Sequence, residues 1–236
     1  METGVRPPLF RASAAYTSAV LALLAVLDWS TLASLGTALG TLVLAVATFW
    51  SVRSSNRSAR VAERALLVGL RPVLAPSRFD DPVQKIGFVD GKWLLAPGGG
   101  GAAEAADDAV YLAMAIRNVG AGMAVLHGWR FYPERLAGGS VDPAPVAEFR
   151  RLTRDLYIPA GDVGFWQGAF RDPAEQAFAP AREAVLRRQA CTVDLLYGDH
   201  EGGQRAITRF GLLPHGDDRW LAVVSRHWNL DRPDPR

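Results

Sequence analysis

The sequence predicts an N-terminal transmembrane α-helical hairpin followed by a mainly-β soluble domain. Three observations carry this expectation. Residues 12–52 contain a single charge, Asp28, whereas the rest of the 236-residue chain is charged at intervals of a few residues. Four arginines, Arg53, Arg57, Arg60 and Arg64, follow directly on the apolar stretch. From residue 71 onward, short β-prone runs alternate with turn residues every 8 to 15 positions, as in an antiparallel sandwich or barrel.

Residues 1–11 form a short tail bearing Arg6 and Arg11. Residues 12–27 and 29–52 are uncharged for 16 and 24 positions. A hydrocarbon core of about 30 Å needs roughly 20 helical residues. The second run therefore spans, and the first spans with local thinning or with Arg11 snorkelling. Asp28 and Ser30 suit the connection and Trp29 suits the headgroup level. A cleavable leader has an apolar core of only about 7 to 15 residues, shorter than this region. Positive flanks stay cytoplasmic, so both termini and the β domain are expected on the cytosolic side of the cell (inner) membrane. If the first run fails to span, the domain faces outward instead.

Within the second run, Gly36 and Gly40 form a small-residue pair extended by Ala33 and Ala47. Such a face lets helices approach closely, either between two copies or against the first helix. Residues 53–70 read as a basic juxtamembrane helix. Arg53, Arg57, Arg60 and Arg64 are spaced 4, 3 and 4 apart and share one stripe, suited to anionic lipid headgroups or to a solvated stop-transfer face. Gly69 is an expected C-cap and Pro72 a helix stop.

The β domain occupies residues 71–236. Runs 83–89 and 92–95 flank Asp90-Gly91 and are expected to form a type I′ hairpin. Val110, Leu112, Met114 and Ile116 alternate with Tyr111, Ala113, Ala115 and Arg117, so the first set faces the core and the second is partly wet. Further strands are expected at 71–75, 125–132, 152–158, 163–170, 190–197, 204–212 and 220–228, about ten in all. Residues 198–203 read as a hairpin loop, 97–108 (with four consecutive glycines) and 134–147 as flexible loops, and 172–188 as an insertion with a short helix.

YLAMAIRNVGAGMAV at 111–125 looks like a strand ending in an Asn-x-Gly-x-Gly turn. With RPVL at 71–74, YGDHEGGQR at 197–205 and RHWNL at 226–230, the chain resembles uncharacterised bacterial membrane-anchored proteins with a C-terminal immunoglobulin-like β-sandwich. The resemblance covers most of the chain. It implies an architecture and no functional residues.

Chemistry is sparse. Formal charge is +2 with no concentrated basic face beyond 53–71, so nucleic acid is not an expected partner. Cys191 is the only cysteine, which precludes an intramolecular disulfide or cysteine metal cluster and suits a reducing compartment. His127, His200, His215 and His227 lack metal-ligand spacing, and no nucleophile elbow or phosphate-binding loop occurs, so no catalytic, cofactor or metal residues are assigned. Asp199, His200 and Glu201 form the best local candidate for a ligand loop, although the same residues suit any exposed hairpin loop. His127 shares an expected strand face with Trp129 and Phe131, and Arg226 is expected to stack on Trp228.

Three functional expectations follow. The first is a membrane-tethered, non-catalytic module binding another protein at the cytoplasmic membrane surface. The second is a small-ligand sensor or enzyme using the His200 and Asp217 loops. The third is a structural oligomer built through the Gly36/Gly40 face.

Overall fold

A computed structural model of the chain describes residues 29–136 and 142–232. The first apolar run, residues 12–27, lies outside the described residues. Of the expected hairpin, the described residues contain one helix, α1 (Trp29–Gly69). Among the described residues it is the one helix long and apolar enough to cross a bilayer, with mean hydropathy 1.9 in its most apolar stretch and none of that stretch buried by protein. Trp29 and Ser30 belong to its first turn, not to a connection. The hydroxyls inside α1 satisfy themselves: Thr37 donates to the Ala33 carbonyl (2.8 Å), Thr41 to Thr37 (2.7 Å) and Thr48 to Leu44 (2.7 Å). A helix in hydrocarbon needs such internal bonds, because no water is available to its polar groups.

The juxtamembrane arginines continue the same helix. Gly69 is its last residue without a left-handed φ, so the expected C-cap is replaced by continued helical bonding, Leu70 N–H to Leu66 O at 3.1 Å. Two compact units divide between Ala62 and Glu63, so the last helical turns group with the β domain.

The second unit is mainly antiparallel β. Its strands are β1 (Leu74–Pro76), β2 (Gln84–Gly87), β3 (Trp93–Ala96), β4 (Gly100–Ala105), β5 (Val110–Asn118), β6 (Ala124–Tyr132), β7 (Arg150–Ile158), β8 (Val163–Phe170), β9 (Cys191–Gly198), β10 (Arg205–His215) and β11 (Arg219–Asn229), with helix α2 (Phe178–Leu186) between β8 and β9. Strand β5 pairs along one edge with β8 and along the other with β4 and β1 in succession. The sheet continues from β4 through β11, β10, β9 and β6 to β7. Only Gly100 and Gly101 join β4 to β11, opposite Leu221 and Trp220. The sheet folds over at that corner: Val110, Leu112, Met114 and Ile116 share one core with Cys191, Val193, Leu195 and Tyr197.

Tyr111, Ala113 and Ala115, expected to be partly wet, are buried because the β2–β3 hairpin lays Ile86, Phe88, Leu94 and Ala96 over them. The hairpin turn is also not type I′. Only Gly91 is left-handed (φ 81°), and the turn is closed by Gly91 N–H to Phe88 O at 3.1 Å. Residues 97–108, expected to form a flexible loop, contain β4. A Cβ on Gly100 would lie 2.7 Å from the Trp220 carbonyl and one on Gly101 2.6 Å from the Ala113 carbonyl, so the glycines permit close sheet pairing at the corner.

The Asn-x-Gly-x-Gly turn clamps the chain leaving α1. Asn118 is fully buried; its Oδ1 accepts from Val73 N–H (3.2 Å) and Gly120 N–H (3.0 Å), while Nδ2 donates to the Gly122 (2.6 Å) and Ile158 (3.0 Å) carbonyls. A Cβ on Gly122 would sit 1.9 Å from the Leu70 carbonyl, and one on Gly120 2.4 Å from that of Arg71. Tyr197 completes the clamp by accepting from Leu74 N–H at 3.1 Å.

Candidate functional site

Asp199, His200 and Glu201 do not act together. Asp199 is buried; Oδ1 accepts from Gly203 N–H (2.9 Å) and Oδ2 from Gln204 Nε2 (3.2 Å), and the same Gln204 amide donates to the Leu67 carbonyl at 2.5 Å. This carboxylate braces a loop against the end of α1. His200 and Glu201 remain exposed, 3.4 Å apart. Asp217 lies in the β10–β11 turn, whereas His200 precedes β10 at its other end. The 11 residues of that strand separate the loops by roughly 35 Å, at about 3.3 Å per residue, so they do not form one site.

The remaining candidates are dispersed over the fold. Arg53, Arg57, Arg60 and Arg64 are exposed on α1, and the Cβ positions of Gly36 and Gly40 meet nothing within 4 Å. Arg226 stacks on Trp228 with 5.2 Å from guanidinium to ring. His227 Nδ1 lies 3.0 Å from Thr208 Oγ1, beside Tyr197. Cys191 is buried in the core, and desolvation pushes its thiol up to about 12. Among the described residues no three His, Cys, Asp or Glu side chains cluster as metal ligands.

His127 does not share the core face of Trp129. A β-bulge between Leu126 and Gly128 shifts the register of β6 against both neighbours, leaving Leu126 and Trp129 in the core and His127 exposed. Glycine within a strand run is the sequence sign of such a bulge.

The feature absent from the sequence reading is an arginine-lined groove where the sheet's two end strands meet. Among the described residues, strand β7 pairs only with β6, and β8 only with β5. Arg150, Arg151 and Arg154 of β7 line the groove with Arg171 just beyond β8, over Trp129, around a space of about 80 Å³. Arg150 is held 5.3 Å over Trp129 and 5.0 Å over Phe170 and pairs with Glu175. Arg154 donates to Gln167 Oε1 (2.9 Å) and to the Gly87 carbonyl (3.0 Å). Arg171 Nε donates to Asp90 Oδ2 at 2.8 Å. Burial works against the Asp90 charge, but hydrogen bonds from Arg171 and Tyr111 prevail and hold its pKa at about 2. Gly168 is required at the floor, since its Cβ would lie 2.7 Å from the Trp166 ring and 3.0 Å from that of Trp129. The groove presents fixed, planar donors on an aromatic base. Such donors match a carboxylate geometrically, and 80 Å³ suits an acidic side chain rather than a cofactor.

No family model matches the chain, and no curated protein or solved structure matches it either.

Proposed function

We propose that the protein is a membrane-tethered, non-catalytic interaction module that binds an acidic segment of another protein at the cytoplasmic membrane surface. The arginine groove carries this reading: four guanidinium groups converge on one aromatic-floored cleft at two unpaired strand edges, where an extended partner chain can approach. The apolar, protein-free surface of α1 supports the tether. In this reading residues 12–27 form a second span, both termini are cytosolic, and the arginine stripe of α1 meets inner-leaflet headgroups. The β domain is an immunoglobulin-like sandwich, a fold that often serves binding.

The test is affinity capture of the full-length protein from detergent extracts, comparing wild type with Arg154→Glu. A specific acidic partner retained by wild type and lost by the variant supports the reading. A partner set unchanged by charge reversal overturns the groove as its contact.

A further inference from the structure

On the other side of β7 from the arginine groove lies a second concavity of about 510 Å³. Its size falls within the range of about 300–1,000 Å³ typical of small-molecule sites. The base is apolar: Leu196 of β9 and Phe149 ahead of β7 are 6% and 8% exposed, and Val146 and Ala147 of a short 3-10 turn form the lip. The rim is cationic. Arg151 of β7 and Arg205 at the start of β10 both line it, and among the described residues no acidic side chain does. His127 is brought to the cavity by the bulge in β6.

The surroundings fix these groups. Arg205 Nη2 donates to Asp231 Oδ1 at 3.1 Å and its backbone N–H to Oδ2 at 2.6 Å, and Asp231 does not line the cavity. The guanidinium is thereby oriented with further N–H donors to spare. Two glycines permit close packing of the strands around the cavity. A Cβ on Gly198 would lie 3.0 Å from His127 Nε2, and one on Gly128 2.8 Å from the Arg150 carbonyl. The loop that braces α1 through Asp199 contributes Gly202 to the same wall. That loop is therefore next to a cavity although His200 and Glu201 do not line it.

We infer that this cavity binds a small amphipathic anion, with an apolar body against Phe149 and Leu196 and one carboxylate or phosphate group between Arg151 and Arg205. A buried apolar base excludes a highly charged polyanion, and two arginines without a lining carboxylate exclude a cation. Carboxylate and phosphate share the recognising chemistry, so the assay includes both. The site shares Arg151 with the protein-binding groove but does not require that groove to bind protein.

The experiment is calorimetric titration of the full-length protein in nanodiscs, with empty nanodiscs titrated in parallel to subtract partitioning into lipid. The probes are 4-butylbenzoate and 4-butylphenyl phosphate, and the controls are 4-butylbenzyl alcohol and 4-butylbenzylamine. The expected result is saturable binding of one anion per chain, the tighter of the two identifying the anionic group, with neither control binding. Arg151→Gln and Arg205→Gln should each weaken binding roughly tenfold, the loss of one charge-assisted contact. Ala147→Trp should abolish it by filling the lip, and Arg154→Gln, which lines only the groove, should leave it unchanged. Arg151 is an exposed side chain, so Arg151→Gln remains readable if Arg205→Gln loosens Asp231. Equal binding of the alcohol or the amine, no signal above empty nanodiscs, or full affinity in Arg151→Gln/Arg205→Gln overturns the inference.

Discussion

Replacing Asn118 with Asp tests whether the clamp at the start of the β domain holds it together. The side chain is fully buried and makes four hydrogen bonds, two accepted by Oδ1 and two donated by Nδ2. Two N–H donors on one side and two carbonyls on the other allow only one orientation of the amide. Asn118→Asp preserves the shape and the acceptor, but places an oxygen where Nδ2 stands 2.6 Å from the Gly122 carbonyl and 3.0 Å from that of Ile158. Each carbonyl left unsatisfied costs about 1–3 kcal/mol, so the ionised variant should lose about 2–6 kcal/mol. Protonation restores a donor to one of the two carbonyls. Burial and the facing carbonyl oxygens both oppose ionisation, so the new carboxyl has a folded-state pKa above its unfolded value of about 3.9. The stability it retains is fully present below about pH 3.9 and is lost as pH rises through the folded pKa, at up to about 1.4 kcal/mol per pH unit. Urea unfolding of the full-length protein in detergent, followed by tryptophan fluorescence at pH 4.5 and 7.5, measures this loss relative to wild type. A deficit that is equal at both pH values, or smaller than about 1 kcal/mol at pH 7.5, would refute the clamp.

Four further outcomes are expected. Arg209 and Asp194 are both fully buried and joined by two 2.7 Å hydrogen bonds; Arg209→Met alone should cost about 3–5 kcal/mol, whereas Arg209→Met/Asp194→Leu should unfold near the wild-type midpoint. The Asp90 pKa of about 2 lies below its unfolded value, so its contribution is present above about pH 4 and lost as pH falls towards 2; hydrogen exchange in β2 and β3 should accelerate over that window in wild type and be pH-insensitive in Asp90→Asn once intrinsic rates are removed. Cys191, at about 12, should resist maleimide at pH 8 until urea unfolds the domain, and native labelling would contradict its burial. Single cysteines at Ser30, Asp107 and Glu201 in a Cys191→Ser background report topology: Ser30 should react with an impermeant maleimide in intact cells and the other two only after permeabilisation, and labelling of Asp107 in intact cells would place the β domain outside.

What the sequence made legible was local periodicity. Val110, Leu112, Met114 and Ile116 announce β5 because alternate side chains point to one face of a strand, and the core contains all four. The misreadings came from contacts distant in sequence. Glycines 98–101 look like a flexible loop until Trp220 and Ala113 supply the backbone atoms that a side chain would strike. The burial of Ala113 and Ala115 depends on a hairpin some 25 residues earlier in the chain. The His200–Asp217 separation could have been read from the chain, since a hairpin turn at 216–218 places residue 200 at the opposite end of the strand. The groove could not. Arg150 and Arg154 are visible at strand spacing, but their convergence with Arg171 over Trp129 depends on which strands end the sheet.

The length of α1 sets how its charges are used. The uncharged residues 29–52 cover about 36 Å at roughly 1.5 Å per residue, enough for a core of about 30 Å with some tilt. Since α1 remains helical beyond them, successive arginines would, in the proposed tether, stand at increasing distance from the bilayer instead of gathering at its surface. Arg53 to Arg60 is 7 residues, or about 10 Å along the axis, already more than the Debye length of about 8 Å at physiological salt. On the proposed membrane-tethered reading, attraction to anionic headgroups would be concentrated in Arg53 and Arg57, with Arg60 contributing less, so the stripe would not act as four equivalent lipid contacts. On that reading the regular 4, 3, 4 spacing would have two consequences: its first members would fix the depth and orientation of the span, and its later ones would keep the emerging helix soluble up to the clamp at Asn118.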